Sequence, residues 1–376
     1  MKHNEKKGVV VGIDASSIRG GGGLEHLVQI LNHVDIKAHN ISKIIVWCNP
    51  EVRDSLPSRD GILVVSKNYF KNPIVRMISR YFLLAREIEK NADVVFFPAG
   101  ISLPVKIPAV GMCQNIQPFI QSERKNQGLT YSWLRLVLLR ILMRYSLKSV
   151  DRVIFVSEHA LHVLEEDGYK RNISRDTVIG HGCDDVYFST MRTITEITEI
   201  IYVSTINTYK HQVEVAKAVA ICRDKGTSLS INFVGGWVEP YYGYAKKIFN
   251  ELDPGGEWIK VSGKQSRSDV VELLKQSDLF VFASTCETFG MAVVEAMAVG
   301  LPIICSDAQP MSGYLKDGAV KYFNPNHPEE IAAAIQYCRA NPDELYPYRK
   351  RANQYAKNFR WSLVARSTFD VIVSVC

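Results

Sequence analysis

The sequence SDLFVFASTCETFGMAVVEAM, at residues 277–297, places a short apolar run directly before a helical pattern. The run at 279–283 is apolar throughout, which is typical of a strand buried on both faces of a parallel sheet. A helix is predicted over 290–299. The turn between them is polar, and open α/β sheets bind ligands where such turns leave the carboxyl ends of the strands. The segment therefore predicts an α/β fold with a site just after this strand.

The same pattern of strand followed by helix runs along most of the chain. Short apolar strands alternate with helical stretches over 8–180, and the alternation restarts over 200–306. Such alternation predicts parallel sheets, so we expect two tandem Rossmann-like, doubly wound domains that face each other across a cleft. Polar and Thr-rich residues at 187–198 interrupt the pattern. The predicted segments are a first domain at 1–190, a second domain at 197–355 and a closing helix at 356–376.

The composition is that of an ordinary globular protein, which excludes disordered and coiled-coil classes. The chain has 376 residues, of which 47% are hydrophobic and 22% are charged. Its net charge of +6 is unevenly distributed, because residues 1–192 hold 26 Lys and Arg against 19 Asp and Glu, whereas 193–376 hold 19 against 20. The first half is therefore expected to prefer an anionic surface. A charge this mild does not indicate a nucleic-acid partner.

Cysteine usage and hydropathy bear on the cellular compartment. The eight cysteines include no Cys-x-x-Cys pair and do not cluster with histidines. We therefore expect neither disulfides nor a zinc site, and a reducing cytosol fits best. No apolar run approaches the roughly 18 residues that a spanning helix needs. The predicted location is cytoplasmic, with peripheral attachment to the inner face of the membrane.

Two glutamates flank the predicted start of the helix at 290–299. Glu287 lies in the preceding loop and can hold the hydroxyls of a sugar, whereas Glu295 lies within the helix and can accept paired hydrogen bonds from a ribose. The backbone amides of Thr288, Phe289 and Gly290 lie where a helix N-terminus can bind phosphate. The alternative is that both acids are structural, one favouring the helix dipole and one lying on a solvated face.

Lys210 follows the strand predicted at 200–204 and stands at the entrance to the next helix. A lysine in that position can neutralise a leaving diphosphate, and Ser204 and Thr205 can add hydrogen-bond donors. The alternative is a solvated loop lysine.

The first half offers weaker candidates. Gly22 and Gly23 belong to a glycine run at 20–23 that can approach a ligand closely, although a flexible loop is the alternative. Asn115 follows a later strand and can position a ligand by hydrogen bonds. His181 follows the last strand and either faces the cleft or has a structural role in a turn.

A basic segment at 124–152 contains a long apolar helix, predicted at 131–148. Arg140, Arg144 and Lys148 recur every four residues along this helix. Such a stripe predicts contact with an anionic membrane surface, with the charges directed toward the headgroups. The alternative is a core helix of the first domain with one solvated face.

The motif Glu287-x₇-Glu295, with Phe289-Gly290 after the first glutamate, resembles the donor-site signature of family 4 glycosyltransferases. Further similarity lies in Gly300-Leu301-Pro302 and Val261-Ser262-Gly263, and in the closing Phe359-Arg360-Trp361. The resemblance covers most of the second half. It implies the GT-B fold, in which a C-terminal helix returns to the first domain.

The resemblance also implies an activity, namely that of a retaining enzyme that needs neither metal nor cofactor. A nucleotide-diphosphate sugar would be the co-substrate, with Lys210 and the Thr288–Gly290 amides on its diphosphate, Glu295 on the ribose and Glu287 on the sugar. A hexosyl group would pass to a glycan or lipid-diphosphate-linked acceptor in envelope polysaccharide synthesis, such as lipopolysaccharide O antigen.

Two positions depart from the pattern of the family. Thr205 stands where similar enzymes carry an Arg, and Asn115 stands where many carry a His. These departures favour an alternative function, that of a nucleotide-sugar-binding or scaffold subunit without transferase activity. A dehydrogenase that uses NAD is a third candidate, but the glycine run lacks the Gly-x-Gly-x-x-Gly spacing that it would need.

Overall fold

In the computed structural model the chain forms two compact units. Unit 1 comprises Met1–Gly182 with Trp361–Cys376, and unit 2 comprises Cys183–Arg360. The structure describes residues 8–66, 79–126, 128 and 130–376.

The division after Gly182 falls earlier than the join expected at 187–198, and its cause is local. The amide of Cys183 donates to the carbonyl of Phe359 at 2.5 Å, and the Tyr187 hydroxyl bonds to Glu295. The first residues after Gly182 are thereby attached to unit 2.

Each unit is built on one sheet whose neighbouring strands all run parallel, as the alternation predicts. In unit 1 the order is β3-β2-β1-β4-β5-β6-β7. In unit 2 the order is β10-β9-β8-β11-β12-β13. The strands of unit 1 are β1 Val9–Ala15, β2 Ile41–Cys48, β3 Ile62–Ser66, β4 Val94–Phe97, β5 Ala109–Cys113, β6 Arg152–Phe155 and β7 Asp176–Val178. Those of unit 2 are β8 Glu199–Val203, β9 Ser230–Val234, β10 Ile259–Gly263, β11 Leu279–Phe282, β12 Ile303–Ser306 and β13 Lys321–Phe323.

Helices follow most of these strands. In chain order they are α1 Gly21–His33, α2 Ala85–Asn91, α3 Gln121–Asn126, α4 Tyr131–Ser149, α5 Glu158–Glu166, α6 Gln212–Asp224, α7 Tyr241–Leu252, α8 Arg267–Gln276, α9 Met291–Val299, α10 Met311–Leu315, α11 Pro328–Ala340, α12 Tyr346–Ala356 and α13 Trp361–Val373. The apolar spacing at 74–90 predicts one further helix, of which residues 74–78 lie outside the described part of the chain. Its described part contains a π-helical turn, Arg80–Leu84, followed by α2. β13, α3, α10 and α11 were not predicted from the sequence.

The strand order of unit 2 determines where a ligand site is expected. β8 and β11 are neighbours at the centre of the sheet, and the order of connection reverses between them. Loops leaving two such strands diverge to opposite faces of the sheet, which leaves a crevice at their carboxyl ends. The site is therefore sought in the loops after β8 and β11.

The basic stripe of α4 does not project freely from unit 1. Arg140 lies 2.5 Å from Oδ1 of Asp167, and Arg144 lies 3.4 Å from Oδ2 of the same carboxylate. Asp167 follows α5, so both arginines turn toward a neighbouring helix. The prediction that these two charges point toward lipid headgroups is therefore wrong, because both guanidinium groups point toward the buried carboxylate of Asp167.

His181 has a structural position in unit 1. Its Nδ1 lies 2.9 Å from Nδ1 of His26, and the ring of Trp361 packs edge-on against His26. Burial lowers the pKa of His181 to about 4, so the pair is neutral at physiological pH. A Cβ on Gly182 would come within 2.2 Å of the Trp361 ring, which explains the glycine there. This cluster ties α13 to the rest of unit 1.

Asp278 fastens the start of unit 2. Its carboxylate accepts hydrogen bonds from Arg192 at 2.5 Å, from the Thr198 amide at 2.9 Å and from the Glu199 amide at 2.8 Å. Burial disfavours the charge, but these hydrogen bonds outweigh burial and hold the pKa of Asp278 below its usual value. The residue links the segment before β8 to the start of β11.

We expect Asp278→Asn to lower the free energy of unfolding at pH 7 by about 2 kcal/mol, because charge-assisted hydrogen bonds are lost. A carboxyl group with a depressed pKa stabilises the fold only while it is ionised, so the difference from wild type should shrink as the pH falls below 3.8. Urea denaturation at several pH values measures this. The exposed Asp224→Asn serves as control, and an unchanged unfolding free energy for Asp278→Asn at pH 7 would contradict the assignment.

Candidate functional site

The candidate site of unit 2 begins with the loop that leaves β8. A single 3₁₀ turn, Thr208–Lys210, is capped by the Asn207 side chain and leads to His211, whose positive φ of 53° redirects the chain into α6. This turn places Lys210 at the helix entrance, as predicted. Lys210 is only 8% exposed, so it is not the solvated loop lysine of the alternative interpretation.

The loops after β8 and β11 are joined by backbone and side-chain hydrogen bonds. The Tyr202 hydroxyl donates to the carbonyl of Lys210 at 2.7 Å and accepts from the Ala283 amide at 3.2 Å. The Thr285 amide donates to the carbonyl of Tyr209 at 2.9 Å. Because Tyr202 is fully buried, its hydroxyl connects the two loops on the side that faces the core.

The side chains of Lys210 and Glu287 connect the same two loops through an ion pair between Nζ and Oε1. Their side chains are 10% and 14% exposed, so the pair is largely screened from solvent. The ammonium group also lies 5.2 Å from the ring centroids of Tyr209 and Phe282. The structure thus brings together the lysine and the first glutamate that the sequence analysis assigned to diphosphate and sugar.

Ser204 and Thr205 lie at the rim of the same crevice. Nε2 of Gln212 donates to Oγ of Ser204 at 2.9 Å and to the carbonyl of Thr205 at 3.1 Å. Gln212 is almost completely buried, so it fixes the loop from below. Thr205 is exposed at the position where the family pattern led us to expect an arginine.

The N-terminus of α9 lies directly after Glu287. The helix begins at Met291, one residue later than predicted, and Gly290 precedes it with a left-handed φ of 91°. The N-cap residue Gly290 has no side chain with which to cap this end, so an anion can approach its first-turn amides. The Phe289 side chain is buried against Tyr314 and Phe359. Of Phe289, only the backbone is therefore positioned for ligand contact.

Glu295 belongs to a separate polar cluster on α9. It accepts a hydrogen bond from the Tyr187 hydroxyl and interacts electrostatically with Arg267 and Asp184. Burial raises the pKa of Glu295 to about 7, and the Tyr187 hydrogen bond and the Arg267 charge only partly oppose that rise. A carboxyl group with this pKa changes charge near neutral pH when its surroundings change.

Arg267 and Asp184 were not among the functional residues predicted from the sequence. Arg267 opens α8, and its Nη1 lies 2.7 Å from Oδ2 of Asp184. Together with Glu295 they form an acid-base-acid group. The two residues lie 83 positions apart in the chain, so no local pattern connects them.

An aromatic pair lies near the carboxyl end of β9. The rings of Trp237 and Tyr242 stack with centroids 4.5 Å apart, and Trp237 is 48% exposed. Ile206, in the loop after β8, pairs with Trp237 through a β-bridge. Trp237 therefore offers an exposed ring face next to the lysine loop, suited to stacking on a planar or apolar ligand surface. The aromatic run after β9 was the signal that the sequence analysis left unused.

The predicted residues of unit 1 occupy different settings. Gly22 and Gly23 lie within the first turn of α1 rather than in a loop, because that helix begins at Gly21. Gly23 has open space around it, with Oε1 of Gln114 lying 3.8 Å from a hypothetical Cβ. Asn115 is exposed, and its Oδ1 accepts a hydrogen bond from the Gln117 amide at 3.0 Å.

No group of three or more His, Cys, Asp or Glu side chains in the described part of the chain is arranged to hold a metal ion. Within the same residues, no helix has both the length and the apolar character needed to cross a bilayer.

Comparison with known proteins defines the class. A structure of the Anabaena protein HepE in complex with UDP and glucose superposes with a TM-score of 0.74, at 16% identity over 97% of this chain and 100% of that one. The chain therefore has the GT-B fold, and the predicted α/β fold class is confirmed.

The family model described as Glycosyl transferases group 1 matches residues 193–359. Unit 2 therefore carries a glycosyltransferase group 1 domain, and the resemblance noted in the sequence is confirmed.

Two curated relatives show how far the sequence similarity extends. A D-inositol 3-phosphate glycosyltransferase of Rhodococcus jostii (strain RHA1) is 26% identical over 40% of this chain and 34% of its own length. An O-antigen chain mannosyltransferase B of Escherichia coli is 26% identical over 35% of each chain. The chain thus spans about a third of the length of the curated relatives that it matches.

Removing one partner of the Lys210–Glu287 pair should cost more than removing both. We expect Lys210→Met to lower the free energy of unfolding by about 3 kcal/mol, because a buried carboxylate would be left without its cation. The double variant Lys210→Met/Glu287→Gln should recover most of this loss. Urea denaturation followed by tryptophan fluorescence measures both variants. If the double variant lost the sum of the unfolding free energies lost by Lys210→Met and by Glu287→Gln alone, the two side chains would not interact.

Proposed function

We propose that the chain is a retaining, metal-independent glycosyltransferase. It would move a hexosyl group from a nucleotide-diphosphate sugar to a glycan or lipid-diphosphate-linked acceptor in envelope polysaccharide synthesis, on the cytoplasmic side of the membrane. The observation that carries the proposal is the buried Lys210–Glu287 pair at the point where the connection order of the unit 2 sheet reverses, beside the uncapped start of α9.

Binding of the donor would replace the Lys210–Glu287 ion pair with contacts from each residue to the donor. In the unliganded protein Lys210 and Glu287 neutralise each other. A diphosphate that enters the crevice offers Lys210 a stronger anion, and the amides at the start of α9 add further donors. Glu287 is then released to accept hydrogen bonds from sugar hydroxyls. The HepE complex with UDP and glucose supports this choice of ligand class.

The chemistry would rest on position and charge. As the donor's bond to the anomeric carbon breaks, negative charge collects on the leaving diphosphate, where Lys210 and the α9 amides stabilise it. The same diphosphate assists removal of the proton from the acceptor hydroxyl, on the face from which the leaving group departs. Neither a metal nor an enzyme nucleophile is required by this scheme. Glu295 would accept hydrogen bonds from the ribose hydroxyls and so hold the donor in a fixed position for transfer.

The similarity to an O-antigen mannosyltransferase supports an acceptor in envelope polysaccharide synthesis. The alternative, a nucleotide-sugar-binding subunit without turnover, draws on Thr205 and Asn115, which occupy positions where related enzymes carry basic residues. Donor turnover separates the two functions, since both bind the nucleotide sugar but only the enzyme consumes it.

A thermal-shift panel of UDP-sugars and GDP-sugars should identify the donor by the largest rise in melting temperature. With that donor and a lipid-diphosphate-linked acceptor, Lys210→Ala and Glu295→Ala should each reduce transfer at least a thousandfold while the protein stays folded. The exposed α7 variant Lys246→Ala is the matched control. Wild-type turnover in either site variant would refute the site assignment, and donor binding without turnover in the wild type would favour the binding-subunit alternative.

Donor affinity should depend on pH through Glu295. Its pKa of about 7 means that only about a tenth of the molecules carry the carboxylate at pH 6. If the ribose hydroxyls bind the ionised form, the Kd for the sugar nucleotide should fall about tenfold between pH 6 and pH 8. Calorimetry with an intact nucleotide sugar is suitable, because its diphosphate stays ionised over this range. In Glu295→Gln the Kd should be independent of pH. A steep pH dependence that survives in this variant would exclude Glu295 as its source.

A further inference from the structure

One face of α4 is apolar and exposed. Tyr131 is 82% exposed and Tyr145 is 70% exposed, and four aliphatic side chains between them are 47–57% exposed. Those four side chains are Leu134, Leu138, Ile141 and Leu142. Large apolar side chains are seldom concentrated in this way on the surface of a soluble monomer, so the strip indicates a binding site for a partner.

The exposed residues form a continuous strip along the helix. At 100° per residue they fall within an arc of about 100°, and the buried Leu136 and Met143 lie on the opposite side. The helix therefore has two apolar sides, of which only one packs against unit 1. Arg140 and Arg144 lie outside the exposed arc, where both pair with Asp167.

A second apolar segment lies next to this strip. Tyr81, Phe82 and Leu83, in the π-helical turn before α2, are 48%, 62% and 56% exposed. Tyr81 and Tyr145 line one surface cavity, so the two segments form a continuous surface. We call the six exposed residues of α4 together with Tyr81, Phe82 and Leu83 the apolar face.

The charges along α4, beside the apolar face, are positive. The sequence from 124 to 150 contains six Lys and Arg but no Asp or Glu. Arg135 and Lys148 are exposed and fall at the two edges of the α4 arc. Arg86 is exposed beyond the second segment. Asp151 lines the same cavity as Tyr145, but its carboxylate accepts a hydrogen bond from the Ala109 amide at 2.8 Å.

We propose that the apolar face of unit 1 docks on an anionic lipid bilayer. Its leucines and isoleucine would enter the boundary between headgroups and acyl chains, with Tyr131, Tyr145 and Tyr81 at headgroup level. Arg135 and Lys148 would contact lipid phosphates on either side. This orientation is opposite to that expected from the Arg140–Arg144 stripe. The inference goes beyond the proposed transfer reaction and does not depend on the donor site.

The charge pattern favours a bilayer over a second copy of the chain. Two copies that met through this face would bring their cationic edges together without acids in the 124–150 segment to pair with them. An anionic bilayer supplies neutralising charge at every edge of the face.

Flotation of the full chain with lipid vesicles tests the proposal. Wild type should bind vesicles of phosphatidylcholine with 30% phosphatidylglycerol, and bind at least about tenfold less to pure phosphatidylcholine. Leu138→Gln/Ile141→Gln/Leu142→Gln should lose binding at least about tenfold. Arg135→Gln/Lys148→Gln should lose binding only to the anionic vesicles. Leu363→Gln, an exposed helical leucine of unit 1 outside the apolar face, should bind as the wild type does.

Unfolding and self-association are separated from loss of lipid binding by two further measurements. Circular dichroism melting should be unchanged in the triple variant, because its three positions are solvent-exposed. Light scattering should report a monomer for wild type and variant alike. Wild-type flotation of a folded triple variant would overturn the proposal. So would a wild-type dimer that becomes monomeric in the triple variant without any lipid binding, because the face would then be an interface between copies. Donor-induced thermal shifts test the proposed function independently of these results.

Discussion

The ion pair between Lys210 and Glu287 is the interaction on which the organisation of unit 2 depends. It joins the loops that leave β8 and β11, the two neighbouring strands between which the order of connection reverses. A buried pair of this kind is costly to break on one side only, so the loops must move together or exchange partners together. The Tyr202 hydroxyl reinforces the link from below, because it bonds both loops at their backbone. The crevice is therefore preorganised before any ligand arrives.

The same pair explains how a site that binds an anion can exist in a unit without a large positive charge. Residues 183–360 hold 19 basic and 21 acidic residues, so unit 2 lacks the positive excess that would attract a diphosphate by net charge alone. One cation that is shielded from water, combined with the first-turn amides of α9, supplies the required field locally. Glu295 then adds a carboxyl group whose ionisation is balanced near neutral pH by burial and by its polar neighbours.

Much of the fold was predictable because buried parallel strands are apolar throughout and alternate with helices. The pairing of Lys210 with Glu287 was implicit in that pattern, since loops after central parallel strands share one edge of the sheet. Arg267 and Asp184 were not predictable, because their contact depends on how α8 packs. β13 has only three residues, too few for a periodicity. The orientation of α4 was mispredicted because both its faces are apolar, so periodicity cannot tell which one packs against the core.

The most direct test of the central claim is hydrogen–deuterium exchange of the full chain with and without a saturating nucleotide sugar. If the loops after β8 and β11 hold the diphosphate, amides at 204–212 and 286–293 should exchange more slowly with ligand bound. Peptides from the amino ends of the same strands should be unaffected. Protection confined to other regions, with exchange in both loops unchanged by a ligand that demonstrably binds, would contradict the account.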